Sequence, residues 1–587
     1  MKEKKVLVVF GEQLPPKWLQ LRHQYDVVIT SEKLRQNVEK LGFKWTDIDG
    51  LIEPGSIYEA STFAEELSHL KFSDGSRIAK SFLYKGYELW WTHYDMLFLY
   101  FCLPYTRYRK LLEYVRSFQG VYFYRPPNKS LFSCYLEAYG SKMIVLQEPR
   151  LKSPSFLPFG VFLQIVITLL CLPILILRRY HSMIFIGDKF EKDKDYDSRV
   201  KFIYEELRQK KIPFVEFIRG LESWKTVLEH AFTRKRPVVY SEAVAFVGRF
   251  ISILTGGHSI ARKRFGSHIF SSETDREARF KFFVATQYLL GAYDDIWAIR
   301  IMKWILRVIG VRAAFISAAC ERNFHTVLGC KLNVIPIVGI LHGFASKNYN
   351  VYDFMPGFDG EKSLSVDKYG LWSEWWRGYY IKNSKTYRPE QLFVSGPMRP
   401  LQKPLIDSVL KTLVKRQKIN VLLVSEIVAV PSEVMPYLDA LFEDSNFSVY
   451  IKFRQNKDAF EEWLKINRPD VLAKLGKDRT LKGTMNEAIE LCDVVVGSQS
   501  TGVIEATLHG KPFVFFNTKK WGDYFDLKSL DSKYNFFAEN PKELVNYIRE
   551  SEKIPKEVLK DFCERFFGDP RKNGSKWAVE ELEKFSK

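Results

Sequence analysis

Apolar runs of about four to six residues recur along the chain, and the stretches between them carry apolar residues at helical spacing. Near the start, Lys5–Phe10 and Tyr25–Thr30 read as strands flanking a short helix at Trp18–His23, a βαβ-like opening. The aromatic stretch YELWWTHYDMLFLYFCLPY that comes after is assigned to a core. Beyond a long apolar segment, Met183–Ile186 and Ile212–Phe217 read as strands around a helix at Tyr196–Lys210. Basic, helical sequence then runs to about residue 310. Ala313–Ile316, Ile335–Leu341 and Gln391–Val394 are the next strands, with a helix at Glu321–Gly329. Gly396-Pro397, with Pro400 and Pro404 behind it, marks a domain boundary. A further β/α unit has strands at Asn420–Val424, Phe447–Phe453, Asp493–Val496 and Phe513–Phe516. Thr484 and Glu487 form a capping box in front of Cys492. Alternation of this kind implies parallel sheets with ligand groups at the carboxyl ends of strands.

The segment 156–177, FLPFGVFLQIVITLLCLPILIL, holds 22 residues without a charge. About 20 apolar residues suffice to cross a bilayer core. Pro158, Gln164 and Pro173 interrupt it, and both flanks are basic, so the expectation is a re-entrant or interfacial hairpin. A single span is the rival reading, and a buried core helix the third.

Composition adds two constraints. Seven scattered cysteines without a CxxC pair argue against a disulfide framework and a structural zinc site. The net charge of +19 is concentrated: residues 151–400 hold 37 basic and 23 acidic residues, whereas 401–587 hold 30 and 29. A basic middle favours an anionic partner. Without a zinc finger, an RNP-like motif or a recognisable helix-turn-helix, no nucleic acid partner is expected, and a membrane surface ranks first.

The richest chemistry lies in CDVVVGSQSTGVIEATLHGKPFVFF, residues 492–516. A buried strand runs into the small polar turn Gly497-Ser498-Gln499-Ser500-Thr501-Gly502, and a helix carrying Glu505 comes next. Backbone N–H groups and hydroxyls at a helix start suit a phosphate, and a carboxylate one turn on suits ribose hydroxyls. An ordinary turn with serine caps is the plainer reading.

These residues carry a resemblance. The 492–516 unit, the stretch VIPIVGILHGFASKNYNVYDF (334–354), the run DKYGLWSEWWRGYYIKNSKTYRPEQLFVSGPMRP (367–400) and FFAENPKELVNYI (536–548) with GDPRKNGSKWAVEEL later resemble bacterial surface-polysaccharide transferases of the GT-B architecture. That group includes capsule and O-antigen enzymes, CDP-glycerol glycerophosphotransferases and sialyl- and Kdo-transferases. The resemblance covers residues 180–587. It implies an α/β fold with two Rossmann-like β/α domains facing a cleft, preceded by the accessory α/β domain (1–150) and the hydrophobic membrane-associated segment (151–180) read from the chain's own patterning. Of the two Rossmann-like domains, 181–395 would take the acceptor and 396–587 the nucleotide-sugar donor. It implies donor binding by Lys452, Arg454, Gly497, Ser498, Ser500, Thr501 and Glu505, and a general base at His342, with Glu321 and Asp188 as alternatives. In one departure, Phe453 stands where the family often has a histidine, and Arg454 is the next residue. No metal and no cofactor are expected. Asp193, Asp195 and Asp197, interleaved with lysines, read as a solvated turn. The implied activity is inverting, metal-independent sugar transfer to a lipid-linked or other glycan acceptor at the cytoplasmic face of the inner membrane. The alternatives are a CDP-polyol phosphotransferase, a nucleotide-sugar 2-epimerase and a non-catalytic scaffold of a polysaccharide assembly complex.

Overall fold

The structure, a computed structural model, describes residues 4–15, 25–146, 157–178, 182–186, 200–219, 224–233, 237–269, 275–320, 323–349, 351–399, 418–425, 430–454, 458–529 and 533–586. Three parallel sheets organise it. The first contains β1 (Lys5–Val9), β2 (Val27–Thr30), β3 (Lys44–Asp47), β4 (Gly120–Tyr124) and β5 (Lys142–Leu146), in the order β3-β2-β1-β4-β5. The second has seven strands: β6 (Ser182–Ile186), β7 (Phe214–Ile218), β8 (Val238–Tyr240), β9 (Ala313–Phe315), β10 (Ile337–Ile340), β11 (Lys368–Leu371) and β12 (Leu392–Val394). Their order is β8-β7-β6-β9-β10-β11-β12. The third contains β13 (Ile419–Val424), β14 (Phe447–Lys452), β15 (Val494–Gly497), β16 (Phe513–Phe516) and β17 (Phe537–Ala538), ordered β14-β13-β15-β16-β17. The central strands are continuous hydrophobic runs because helices cover both faces of each sheet; β9, β10, β15 and β16 are buried along their whole length.

The helices of most consequence are α1 (Leu157–Arg178), α2 (Ser241–Leu254), α3 (Gly257–Ile269), α4 (Ala292–Ile309), α5 (Thr501–Ile504), α6 (Lys556–Phe567) and α7 (Gly574–Ser586). The last of these leaves the third sheet and packs on β9 and β10 of the second. The aromatic stretch after β3 is core: Trp90, Trp91, Tyr94, Phe98 and Phe101 are all buried.

The first domain is not a loose appendage. Its apolar residues share one continuous core with those of both lobes. Trp90 Nε1 donates to Ala285 O at 2.8 Å, and Arg77 Nη2 donates to Gly357 O at 3.1 Å. On the third sheet's side, Ile57 N donates to Lys520 O at 3.0 Å and Tyr58 OH to Asp523 O at 2.6 Å.

That packing corrects two expectations about the apolar segment. The segment is one continuous helix, α1, not a hairpin. Pro158 sits in the first turn, where its missing N–H has no helical partner to lose, and the helix carries Pro173 in its interior. A single span separating residues 1–150 from 180–587 is incompatible with a core shared by both. One stripe of α1, Val161, Gln164, Thr168, Leu172 and Leu175, is buried at a spacing of three and four residues. Thr168 Oγ1 accepts the Tyr240 N–H at 3.1 Å, so α1 also covers part of the open edge of β8.

Candidate active site

In the third sheet the direction of winding reverses between β13 and β15, and ligands of open α/β sheets bind at such a point, beyond the carboxyl ends of the strands. Ser425 ends β13 and Ser498 comes just after β15; with Val434, Phe460 and Phe516 they line a small cavity. β15 is held in register by Asp493, whose carboxylate accepts from Asn420 N at 2.8 Å and Asn420 Nδ2 at 3.0 Å. Ser498 and Gln499 are buried, and Ser500 caps α5 by accepting the Gly502 N–H at 3.3 Å. The helix expected to carry Glu505 is one turn of α-helix, α5, continued by a 3-10 segment from Glu505 to His509. Lys511 of the Gly-Lys-Pro sequence faces away from the turn. Its Nζ donates to Ile489 O at 2.8 Å and Glu490 O at 2.7 Å, closing the end of the preceding helix.

Glu505 is part-buried, and burial pushes its carboxyl upward while the nearby Arg399 guanidinium pulls it back. Arg399 lies just beyond β12, where the chain leaves the second sheet. Its place in Gly-Pro-Met-Arg was the sequence signal, with no role attached to it there.

The loop after β14 is folded back onto β13 by a residue that the sequence did not single out. Asp458 is buried; its carboxylate accepts from Ser425 Oγ, Arg454 N and Phe460 N, each at 2.9 Å, and from Glu461 N at 3.1 Å. Lys452 is buried at the end of β14, and burial lowers its ammonium below the usual lysine range. Arg454 is exposed beside it. Phe453, at the family's histidine position, is packed in the lobe's core.

In the second sheet, His342 lies just beyond β10. Leu341 N donates to Gly370 O at 2.9 Å and Leu341 O accepts from Trp372 Nε1 at 2.7 Å, which fixes the backbone entering the loop. The anchor on the far side is Phe344. Its ring lies 5.1 Å from both Trp372 and Trp376 in the same lobe, and 5.4 Å and 5.6 Å from Phe566 and Phe525 in the other part of the chain. Tyr349 meets Trp521 at 5.0 Å, so the loop after β10 packs on the loop after β16, one strand from the Ser498–Thr501 turn. His342 itself is exposed. Gly343 has open space where a side chain would be, and the backbone bends there without a positive φ.

Behind this loop lies a buried acid. Asp353 accepts from Tyr380 OH at 2.9 Å, Tyr387 OH at 3.1 Å and Tyr369 OH at 3.3 Å. Burial pushes its carboxyl up to about 7 against the pull of the three hydroxyls.

Glu321, Asp188 and the Asp193, Asp195, Asp197 turn lie outside the described residues. Among the described residues, no group of three or more His, Cys, Asp or Glu side chains is arranged to hold a metal.

No family model matches the chain, and no curated protein does. Among solved structures, it is similar to UDP-GlcNAc 2-epimerase from Neisseria meningitidis bound to UDP-GlcNAc, at 14% identity over 69% of this chain and 100% of that one, TM-score 0.40. It is also similar to Anabaena Alr3699/HepE in complex with UDP and glucose, at 13% identity over 69% and 100%, TM-score 0.38. A glycosyltransferase from Rickettsia africae is similar at 11% identity over 69% and 98%, TM-score 0.38.

Proposed function

We propose that this chain is a glycosyltransferase that moves a sugar from a nucleotide-sugar donor to a lipid-linked or other membrane-associated glycan. Its place is then the cytoplasmic face of the inner membrane of a bacterium that builds a surface polysaccharide such as capsule or O-antigen. The observation that carries the reading is the reversal point of the third sheet, where Ser425 and Ser498 line a small cavity just before the capped Ser500 turn, and Glu505 on the next turn lies within the field of Arg399. A nucleotide fits this chemistry. The serine hydroxyls and turn N–H groups take phosphate oxygens, and Glu505 accepts from ribose hydroxyls. Lys452, Arg454 and Arg399 stand ready to neutralise a leaving diphosphate, so the charge that develops there is met by fixed cations of the chain itself.

His342 lies on the loop that the second sheet sends toward the donor lobe. An exposed imidazole is suited to deprotonate an acceptor hydroxyl as it attacks the anomeric carbon. Attack from the face opposite the nucleotide inverts that carbon.

The test is a thermal-shift panel of UDP, GDP, CDP, CMP and dTDP on the full chain, then the sugar nucleotide of whichever base stabilises it. A nucleotide shift that disappears in Ser500→Ala and Glu505→Ala supports the reading; a chain stabilised by none of the panel overturns it. Product analysis with the binding nucleotide sugar then separates the chemistries. Sugar transfer requires an acceptor, whereas epimerisation changes the donor without one.

A further inference from the structure

Most of the large hydrophobic side chains exposed among the described residues lie on four helices that touch one another: α1, α2, α3 and α4. On α1, the stripe turned from the protein carries Phe162, Leu170 (67% exposed) and Leu177 (84%) where a water-facing helix would carry polar residues. α2 repeats the pattern. Its inner face is pressed so closely on α4 that a Cβ at Gly248 would come within 2.6 Å of the Ala298 nitrogen. Its outer face presents Phe246, Phe250 (61%) and Leu254 (70%) at four-residue spacing. α2 and α3 then meet at a bend of 73°.

The charge on these elements has one sign. α1 contains no acid, and Ser241–Ile269 holds four Lys or Arg against the single acid Glu242. Arg262 and Lys263 on α3 are exposed and make no ion pair among the described residues. The acid packed against this face from α4, Asp294, is engaged by His258 at 3.1 Å. Apolar side chains flanked by exposed cations match an anionic lipid surface, where the chains enter the headgroup boundary and the cations meet phosphates. A second protein chain would offer less to such a face, since cation-rich rims repel their own copies.

We propose that α2 and the bend into α3 are a second membrane contact, acting with α1 so that the second sheet's lobe lies flat on a bilayer containing anionic lipid. The inference rests on reading α1 as membrane-associated. It adds a surface, and an orientation, that the apolar segment alone does not give. Two helices in contact fix the tilt of the lobe on the membrane, as one helix cannot.

Flotation of the full chain with vesicles of phosphatidylethanolamine and phosphatidylglycerol, against vesicles of phosphatidylcholine, tests it. Wild type should float with the first and much less with the second. Phe250→Glu/Leu254→Glu, at exposed positions where the fold is indifferent, should lose tenfold or more of the binding, with an unchanged melting temperature as the control. Arg262→Glu/Lys263→Glu should lose at least as much on anionic vesicles alone, at roughly fivefold per charge removed near the surface. If the α2 variant floats as wild type does while Leu170→Glu/Leu177→Glu does not, α1 is the whole anchor and the inference falls alone. If wild type floats with neither vesicle, the membrane reading falls with it. A wild-type dimer by light scattering that becomes a monomer in Phe250→Glu/Leu254→Glu would give the face to a second copy and overturn the proposal.

Discussion

The first and third sheets each have five parallel strands, and each reverses its winding once, yet the two reversal points are filled in opposite ways. In the third, between β13 and β15, serine hydroxyls line a cavity. In the first, between β1 and β4, Phe10 occupies the position beyond the strand. Its ring stacks on Phe132 at 5.8 Å and Phe123 at 6.3 Å, and meets Tyr108 edge-on at 6.1 Å. The same backbone plan thus offers a crevice in one place and closes it with aromatic rings in the other. A parallel sheet supplies the location of a site; the residues just past its strands decide whether there is one. The first domain, with its crevice closed, is left to brace: it touches one lobe through Arg77 and Trp90 and the other through Ile57 and Tyr58.

The sharpest test of this division asks whether the third sheet only holds the donor. If it does, chemistry belongs to the second sheet, and His342→Ala should lower turnover by about 10²–10⁴-fold while nucleotide affinity, read by titration, stays within error. A collapse of affinity would place His342 in the donor site. Next in size, Phe132→Ala in the first sheet should cost about 3–5 kcal/mol of stability by denaturant titration. It should leave nucleotide affinity per folded molecule unchanged; a weakened titration would mean that the closed crevice binds ligand after all. In the third sheet the pattern reverses. Ser500→Ala or Glu505→Ala should weaken nucleotide binding by roughly tenfold or more, since a lost buried hydrogen bond costs about 1–3 kcal/mol, with little change in melting. Asp458→Ala should do both at once, because the carboxylate ties Ser425 to the Lys452–Arg454 loop.

The smallest effect concerns Asp353. Its folded carboxyl lies near 7, well above the roughly 3.9 of an unfolded aspartate. Between those values the folded chain binds the extra proton, so this group's contribution to stability is full at about pH 4 and is lost as the pH rises to 7. Asp353→Asn has no such proton. The gap in melting temperature between wild type and variant should therefore narrow from pH 4 to pH 7; a constant gap would mean that the acid is ionised throughout.

Most strands of the second and third sheets were legible in the sequence because buried parallel strands are short runs of Val, Ile, Leu and Phe; Phe513–Phe516 matches to the residue, whereas the shorter Val238–Tyr240, Lys368–Leu371 and Phe537–Ala538 were not read as strands. The capping box at Thr484 and Glu487 is also present as read. The path of α1 was not legible, because prolines that can break a helix are tolerated in its first turn and along a face that needs no strict ladder. Arg399 and Asp458 were hidden for a different reason. Each acts through a partner over a hundred or thirty residues away, Glu505 in one case and Ser425 in the other, and no local spacing announces such a pairing. Phe453 was conspicuous for the histidine it replaces, and the structure gives it an inward place in the core.

The bond from Tyr58 to Asp523 closes a loop of 465 residues. During synthesis the first domain leaves the ribosome early, but the segment it braces is made almost last, so at about 5–20 residues per second the brace waits on the order of half a minute for its partner. Long-range closure of that kind slows assembly and leaves apolar surface uncovered meanwhile. A chain cut short before residue 520 would carry a finished first domain with half its seat missing, and would be a substrate for chaperones and proteases before it could be anything else.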